Sequence, residues 1–390
     1  MDPVILAILN KPVCYFLGRA DVFTKITKPI FKNLHMLPIY RQQDGVNTKE
    51  KNSEIFNACS QILIKKKNIL IFGEGFTDDV FIRRLKPLKK GAVRIGFIAL
   101  EQNNWKAPIY IAAIGCNYAN PNIFDSELVI CNSKPICLNN FKDQYKNNPL
   151  ITINKVNKQV EDLLKKQITY IENKDDSLLH ENIMRITGRG INVKYQNHQF
   201  NLEQRYKMSQ QTADKLNRLD EQVKAVLNSK LENYFKSLDV NKIEDICINE
   251  LNSKNKYLLK NTLLLILFFP IAVLGFFHAY LPYLPLKVWI EKKFKRPVFW
   301  SSVKMMLGAL IITLINIPII VLLDKFLINN MWISIVYFLS IGIFGSISYY
   351  WIKQIKIIFR IIDLKQNKTK ELIKIREEIK NDLSKHELIA

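Results

Sequence analysis

Glu74 stands between two glycines in Phe72-Gly-Glu-Gly-Phe-Thr77, where the apolar run Asn68-Ile-Leu-Ile-Phe72 ends. A short continuous apolar run of this kind reads as a buried strand. A strand ending in Gly-Glu-Gly lets the backbone turn sharply and approach a ligand closely, with one carboxylate at the turn. An ordinary strand-to-loop junction would read the same way, so the block needs support from its surroundings. Downstream, Leu85-Lys-Pro-Leu-Lys-Lys-Gly-Ala-Val-Arg94 gathers cations. Lys89, Lys90 and Arg94 there could attract a phosphate or an acidic surface, or form the solvated start of a basic helix. Other chemistries lack their residues. The five histidines (35, 180, 198, 278, 386) form no metal-ligand cluster. The six cysteines (14, 59, 116, 131, 137, 247) are scattered without a C-x-x-C pair, which suits a reducing compartment. No metal site and no bound cofactor is expected.

The elements that hold Glu74 alternate in type. Asn68–Phe72 and Pro108–Gly115 read as strands, and Gly91–Leu100 between them has helical spacing. Strand, helix and strand of this size predict an α/β domain over 1–150, a mixed sheet flanked by helices. Residues 151–256 are highly charged and poor in Gly and Pro. Leu202, Tyr206, Leu216, Leu219, Val223, Leu227 and Leu231 mostly fall three or four apart, which predicts an antiparallel helical insert.

Beyond residue 256 the chain becomes apolar. Residues 257–286 are almost wholly apolar but carry Pro270, Pro282 and Pro285; Met305–Leu323 and Trp332–Tyr350 are two further runs. Runs of about twenty apolar residues are membrane spans, and Tyr349, Tyr350 and Trp351 close the third run as an interfacial aromatic belt. Lys287, Lys292, Lys293, Lys295, Arg296 and Lys304 face only Glu291 in the 287–304 loop. The 351–390 tail is also basic, whereas Asp324 and Lys325 are the charges between the second and third runs. The basic loop and the tail are therefore expected on the cytoplasmic side, with 305–350 a transmembrane hairpin. Residues 257–286 would then dip into the bilayer without crossing, turning at Pro270 as a re-entrant or interfacial segment. Met1 leads straight into Asp2, and no signal peptide is visible.

The net charge of +22 implies an anionic partner. Lys, Asn and Ile are abundant throughout, so the placement of charge says more than its sum. Apolar spans and the lack of a recognition motif argue against nucleic acid, and an anionic phospholipid membrane is the expected partner.

Three blocks in order carry a family resemblance: Asp2-Pro-Val-Ile-Leu-Ala7, His35-Met-Leu-Pro-Ile-Tyr-Arg41 and Phe72–Thr77. Their types and spacing resemble the membrane glycerolipid acyltransferases, over residues 2–150. More loosely, Leu281-Pro-Tyr-Leu-Pro285 and Pro297-Val-Phe-Trp-Ser301 look like the larger glycerol-3-phosphate-type members with added membrane segments. The resemblance implies an α/β acyltransferase domain followed by a helical insert and C-terminal transmembrane helices. In that family an N-H-x-x-x-x-D pattern supplies a histidine base and the carboxylate that fixes its tautomer. Asp2 maps to the carboxylate, and its histidine would precede Met1. No histidine of this chain has aspartate at the fifth position after it; His198 has Glu203. Either the start is assigned to an internal codon, or the chain is a truncated, inactive homologue. Arg41 maps to the arginine of G-x-x-P-[IV]-x-R that binds the acceptor phosphate, with His35 in the place of glycine. His35 lacks a paired aspartate and reads as structural. Glu74 and Gly75 map to the acceptor residues of F-P-E-G-x-[ST], with Thr77 as a hydroxyl contact and Gly73 replacing proline. Lys89, Lys90 and Arg94 would meet the phosphates of coenzyme A or the acidic surface of acyl carrier protein. Ile109–Gly115 would line the acyl groove, with Ala113 in place of a proline.

The expected activity is O-acyl transfer in phospholipid biosynthesis. A fatty acyl group would pass from acyl-CoA or acyl carrier protein to glycerol 3-phosphate or 1-acylglycerol 3-phosphate, at a cell inner membrane with the catalytic domain cytoplasmic. The alternative is a catalytically inactive membrane lipid-binding homologue.

Overall fold

Parallel pairing organises the N-terminal part of the chain. The computed structural model describes residues 5, 6, 9, 14–40, 47–75, 82–122, 124–191, 200–241, 243–245, 248, 254–363 and 366–389. These fall into two compact units, one of 1–77, 83–117 and 128–170, the other of 78–82, 118–127 and 171–390.

In the first unit, β1 (Tyr15–Arg19) lies between β2 (Met36–Ile39) and β3 (Ile69–Leu70), parallel to both. Phe16 pairs with Met36 on one side and Leu70 on the other. Parallel neighbours need crossovers. Here α1 (Thr27–Asn33) returns β1 to β2, and α2 (Thr48–Ile64) returns β2 to β3. The Asn47 side chain caps α2 by accepting from the Glu50 N–H. The helix read at 91–100 is α3 (Gly91–Gln102), which buries Val93, Ile95, Phe97, Ala99 and Leu100. Phe97 stacks on Tyr145 at 4.2 Å, and Leu138, Ile153 and Val156 complete the core. Tyr145 lies on α4 (Lys142–Asn147), and Ile153 and Val156 on α5 (Pro149–Lys166).

The strand expected over 108–115 is instead two strands, β4 (Tyr110–Ile111) and β5 (Ile114–Tyr118). They pair with different partners: β5 with β6 (Leu128–Asn132), and β4 with β7 (Ile136–Cys137). The break falls at Ala113, whose N–H is diverted to Ser133 Oγ at 3.0 Å. The described strands thus form three small sheets rather than the one mixed sheet expected.

The second unit is helical. α6 (Asp176–Thr187), α7 (Leu202–Arg218) and α8 (Glu221–Val240) bury Ile183, Tyr206, Leu216, Leu227 and Leu231. The three-and-four spacing of the insert is thereby accounted for. The sequence did not indicate what completes its core. Leu372, Ile379 and Leu383 of α13 (Gln366–Lys385) join the same cluster. Arg376 of that helix is buried, donating to Asp245 at 2.9 and 3.1 Å and to the Ile186 carbonyl at 2.9 Å. Burial works to lower its pKa, but the Asp245 hydrogen bonds and charge outweigh it and hold it up.

Between insert and tail lie α9 (Lys254–Gly275), a π-helical turn Phe276–Tyr280, α10 (Leu281–Lys293), α11 (Trp300–Leu323) and α12 (Met331–Asp363). They make three stretches long and apolar enough to cross a membrane: Tyr257–Lys293, Trp300–Ile328 and Met331–Asp363. At most 22% of the apolar window in each is buried inside the protein, so these are not core helices. The turn expected at Pro270 is not there; the helix continues through that residue. The register changes later, where the Leu281 N–H reaches back five residues to the Phe276 carbonyl.

Candidate functional site

The C-terminal edge of the parallel sheet is where its strands release the residues of interest. β3 ends at Leu70, and the chain turns at Phe72–Gly75, with the Gly75 N–H donating to the Phe72 carbonyl at 3.3 Å. Gly75 has φ +76°, a left-handed conformation that glycine adopts without strain. At Gly73 a Cβ would lie 3.1 Å from Leu88 Cδ2, a tight approach that a larger residue fits only if the Leu88 side chain gives by a few tenths of an ångström.

The 86–89 segment wraps this turn. The Lys86 N–H donates to Glu74 Oε1 at 2.8 Å, and the Lys89 N–H to the Gly73 carbonyl at 2.8 Å. Asn157 of α5 holds the segment through the Leu88 carbonyl at 3.2 Å. The stem of Lys89 crosses Gly75, since a Cβ on that glycine would be 3.6 Å from Lys89 Cγ. Glu74, Gly75 and the sequence-distant Lys89 therefore share one turn: a carboxylate fixed by a backbone donor, open backbone, and an exposed ammonium. Lys90 precedes α3, and Arg94 lies exposed in its first turn. Such a cluster can attract an anion to the sheet edge. Asp2, Arg41 and Thr77 lie outside the described residues.

Tyr40, the last described residue of this segment, is held by a side chain from α2. The Asn52 amide accepts from the Tyr40 N–H at 3.0 Å and donates to the Tyr40 carbonyl at 2.8 Å. Asn52 thus acts as a strand partner from α2, fixing the backbone at the C-terminal end of β2. No local signal marks it, because nothing in a helical asparagine announces which loop it meets.

His35 occupies the opposite edge. It lies one residue before the Phe16–Met36–Leu70 level, and Glu74 lies four residues beyond. It has φ 57° and stacks on Tyr15 at 4.6 Å between ring centroids. This is a turn residue at the strand start, in keeping with the structural reading. Two of the thiols are equally unsuited to attack. Burial pushes the Cys59 thiol up to about 12 and raises Cys14 as well. No group of three or more His, Cys, Asp or Glu able to hold a metal occurs among the described residues.

Residues 1–115 match the family model described as Acyltransferase. No curated protein and no solved structure matches the chain significantly. The matched residues include the whole parallel sheet, the Glu74 turn and Lys89, and the match supports an acyltransferase domain in this part of the chain.

Proposed function

We propose that the protein is a membrane-bound O-acyltransferase of phospholipid biosynthesis. It moves a fatty acyl group from acyl-CoA or acyl carrier protein to glycerol 3-phosphate or 1-acylglycerol 3-phosphate. The observation that carries this reading is the Glu74–Gly75–Lys89 turn at the sheet edge, inside the residues that match an acyltransferase family. Ester formation needs a base for the hydroxyl proton, a cationic site for the phosphate and a groove for the thioester. Arg41, leaving the Asn52-clamped end of β2, binds the acceptor phosphate as a bidentate guanidinium. Glu74, Gly75 and Thr77 shape the acceptor side, and Lys89, Lys90 and Arg94 draw in the anionic donor. Asp2 orients a histidine base. The hydroxyl oxygen attacks the thioester carbonyl, the base takes its proton, and the thiolate leaves and is reprotonated as the ester forms.

The three long apolar helices, with their basic flanks and interfacial aromatics, support membrane attachment. Positive charge in the 287–304 loop and the tail supports the reading of a catalytic unit on the cytoplasmic face of an inner membrane. A non-catalytic lipid-binding role is the second reading, favoured by the lack of an H-x-x-x-x-D pattern in residues 1–390. An acyl-transfer assay on the chain in vesicles, and on the same chain carrying its upstream codons, separates the two. Glycerol 3-phosphate and lysophosphatidate are both offered. Transfer to either, lost when any histidine encoded by those upstream codons is replaced, is the expected result; no transfer from either form would overturn the enzymatic reading.

A further inference from the structure

Asn316 is fully buried in the middle of an apolar helix, and every polar atom of its side chain is used. Its amide nitrogen donates to the His278 carbonyl and to the Ile312 carbonyl, both at 2.7 Å. Its oxygen therefore accepts from His278 Nδ1, which leaves Nε2 to accept from the Tyr337 hydroxyl at 3.0 Å. Three apolar helical stretches meet at this one polar node. Its position has a reason in the chain. In a regular helix the His278 carbonyl would accept from the N–H of residue 282, and residue 282 is proline. Asn316 supplies a donor where Pro282 has none, at a depth where water cannot.

The contacts around the node fix the direction of the chain on either side. From His278 back towards Tyr257, the partners on α12 run from Tyr337 through Phe344 and Trp351 to Gln354. From His278 on towards Glu291, the partners on α11 run from Asn316 through Gly308 to Lys304. α11 and α12 are antiparallel: Asp324 bonds Ser334 at their far ends. Ser301 and Tyr350 bond the short 121–125 segment at the other. Both arms of Tyr257–Lys293 therefore lead from the node to the same end of the hairpin. Past the node the hairpin continues about 10 Å further, through Asn316–Asp324 and Met331–Tyr337, at 1.5 Å per residue.

We infer that Tyr257–Lys293 is a re-entrant segment that enters and leaves the membrane through the same face, its apex latched by Asn316 in place of the backbone donor that Pro282 removes. The proposal rests on the membrane attachment argued above but not on acyl transfer. The exposed faces of its arms, with Ile266, Phe269, Phe277 and Val288 outward, take up lipid of the near leaflet. Gly275 allows the first arm to meet α12, since a Cβ there would lie 1.9 Å from the Phe344 carbonyl oxygen.

Sidedness tests the re-entry directly. Lys292→Cys, Leu327→Cys and Glu387→Cys are introduced singly into the full chain in phosphatidylethanolamine–phosphatidylglycerol vesicles. Labelling with an impermeant maleimide is read above the unsubstituted protein. Lys292→Cys is expected to label from the same side as Glu387→Cys and from the side opposite to Leu327→Cys. Labelling of Lys292→Cys together with Leu327→Cys would overturn the proposal. Release of the unsubstituted protein by alkaline carbonate would instead defeat the membrane attachment itself. The latch is tested by coupling. Asn316→Leu should lower the Tm in detergent by several degrees, and Pro282→Ala, which restores a backbone donor, should recover at least half of that loss. Additive losses in the double variant would refute the latch.

Discussion

At the scale of single residues, the Glu74 turn makes the sharpest demands. Gly75→Ala forces a side chain into the left-handed region at about 1–2 kcal/mol. It should cut acyl transfer well beyond its effect on Tm, because the added methyl stands where open backbone would meet a ligand. Equal activity in Gly75→Ala would show that the turn is not part of the site. Cys59, with its thiol pushed up to about 12, should resist iodoacetamide at pH 8 in the folded protein and react once the chain is unfolded. Rapid alkylation of native Cys59 would contradict its burial. Glu74, Gly75 and Lys89 were legible in the sequence because a glycine-bracketed carboxylate and a lysine pair stand out locally. Asn52 was not, since its value lies in meeting Tyr40, a tertiary approach that no local pattern encodes.

Between elements, a few polar side chains replace missing ladder or helix bonds. Asn52→Ala leaves the half-buried Tyr40 N–H and carbonyl without their partner, at about 1–3 kcal/mol. Because it loosens the backbone before Arg41, it should raise the acceptor KM more than it lowers kcat; the reverse pattern would deny Asn52 a positioning role. The tail helix has its own tie. Lys230 of α8 and Lys385 hydrogen-bond Asp382, holding its carboxyl below the usual carboxylate range. A depressed folded value means the tie is present above the ordinary carboxylate pKa and is lost as pH falls through the folded one. Exchange protection across α13 should therefore fall on acidification below about pH 4, and unchanged protection there would contradict the tie. The long helices were legible because apolar length is a composition signal. The division of 108–115 into two strands was not, because it depends on Ser133 taking the Ala113 N–H. The prolines mark a segment where the helix changes register, but their sequence could not distinguish Pro270 from Pro282. Asn316, the side chain that serves the second, comes from another helix.

Over the whole chain, the sequence pattern and the two units meet in one account: an acyltransferase-like N-terminal part with an anion-attracting sheet edge, and a helical part whose apolar stretches suit lipid. The α/β alternation around Glu74 was readable, whereas the completion of the 171–248 core by residues 366–389 was not, because the partner helix lies far along the chain. On the proposed function, the sheet edge receives a phosphorylated acceptor. The most direct test compares acyl transfer by the catalytically competent chain to lysophosphatidate and to the matching monoacylglycerol, in wild type and Arg41→Ala. A strong preference for the phosphorylated acceptor, largely abolished through KM in Arg41→Ala, is expected. Equal use of both acceptors by wild type, or an unaltered preference in Arg41→Ala, would contradict it.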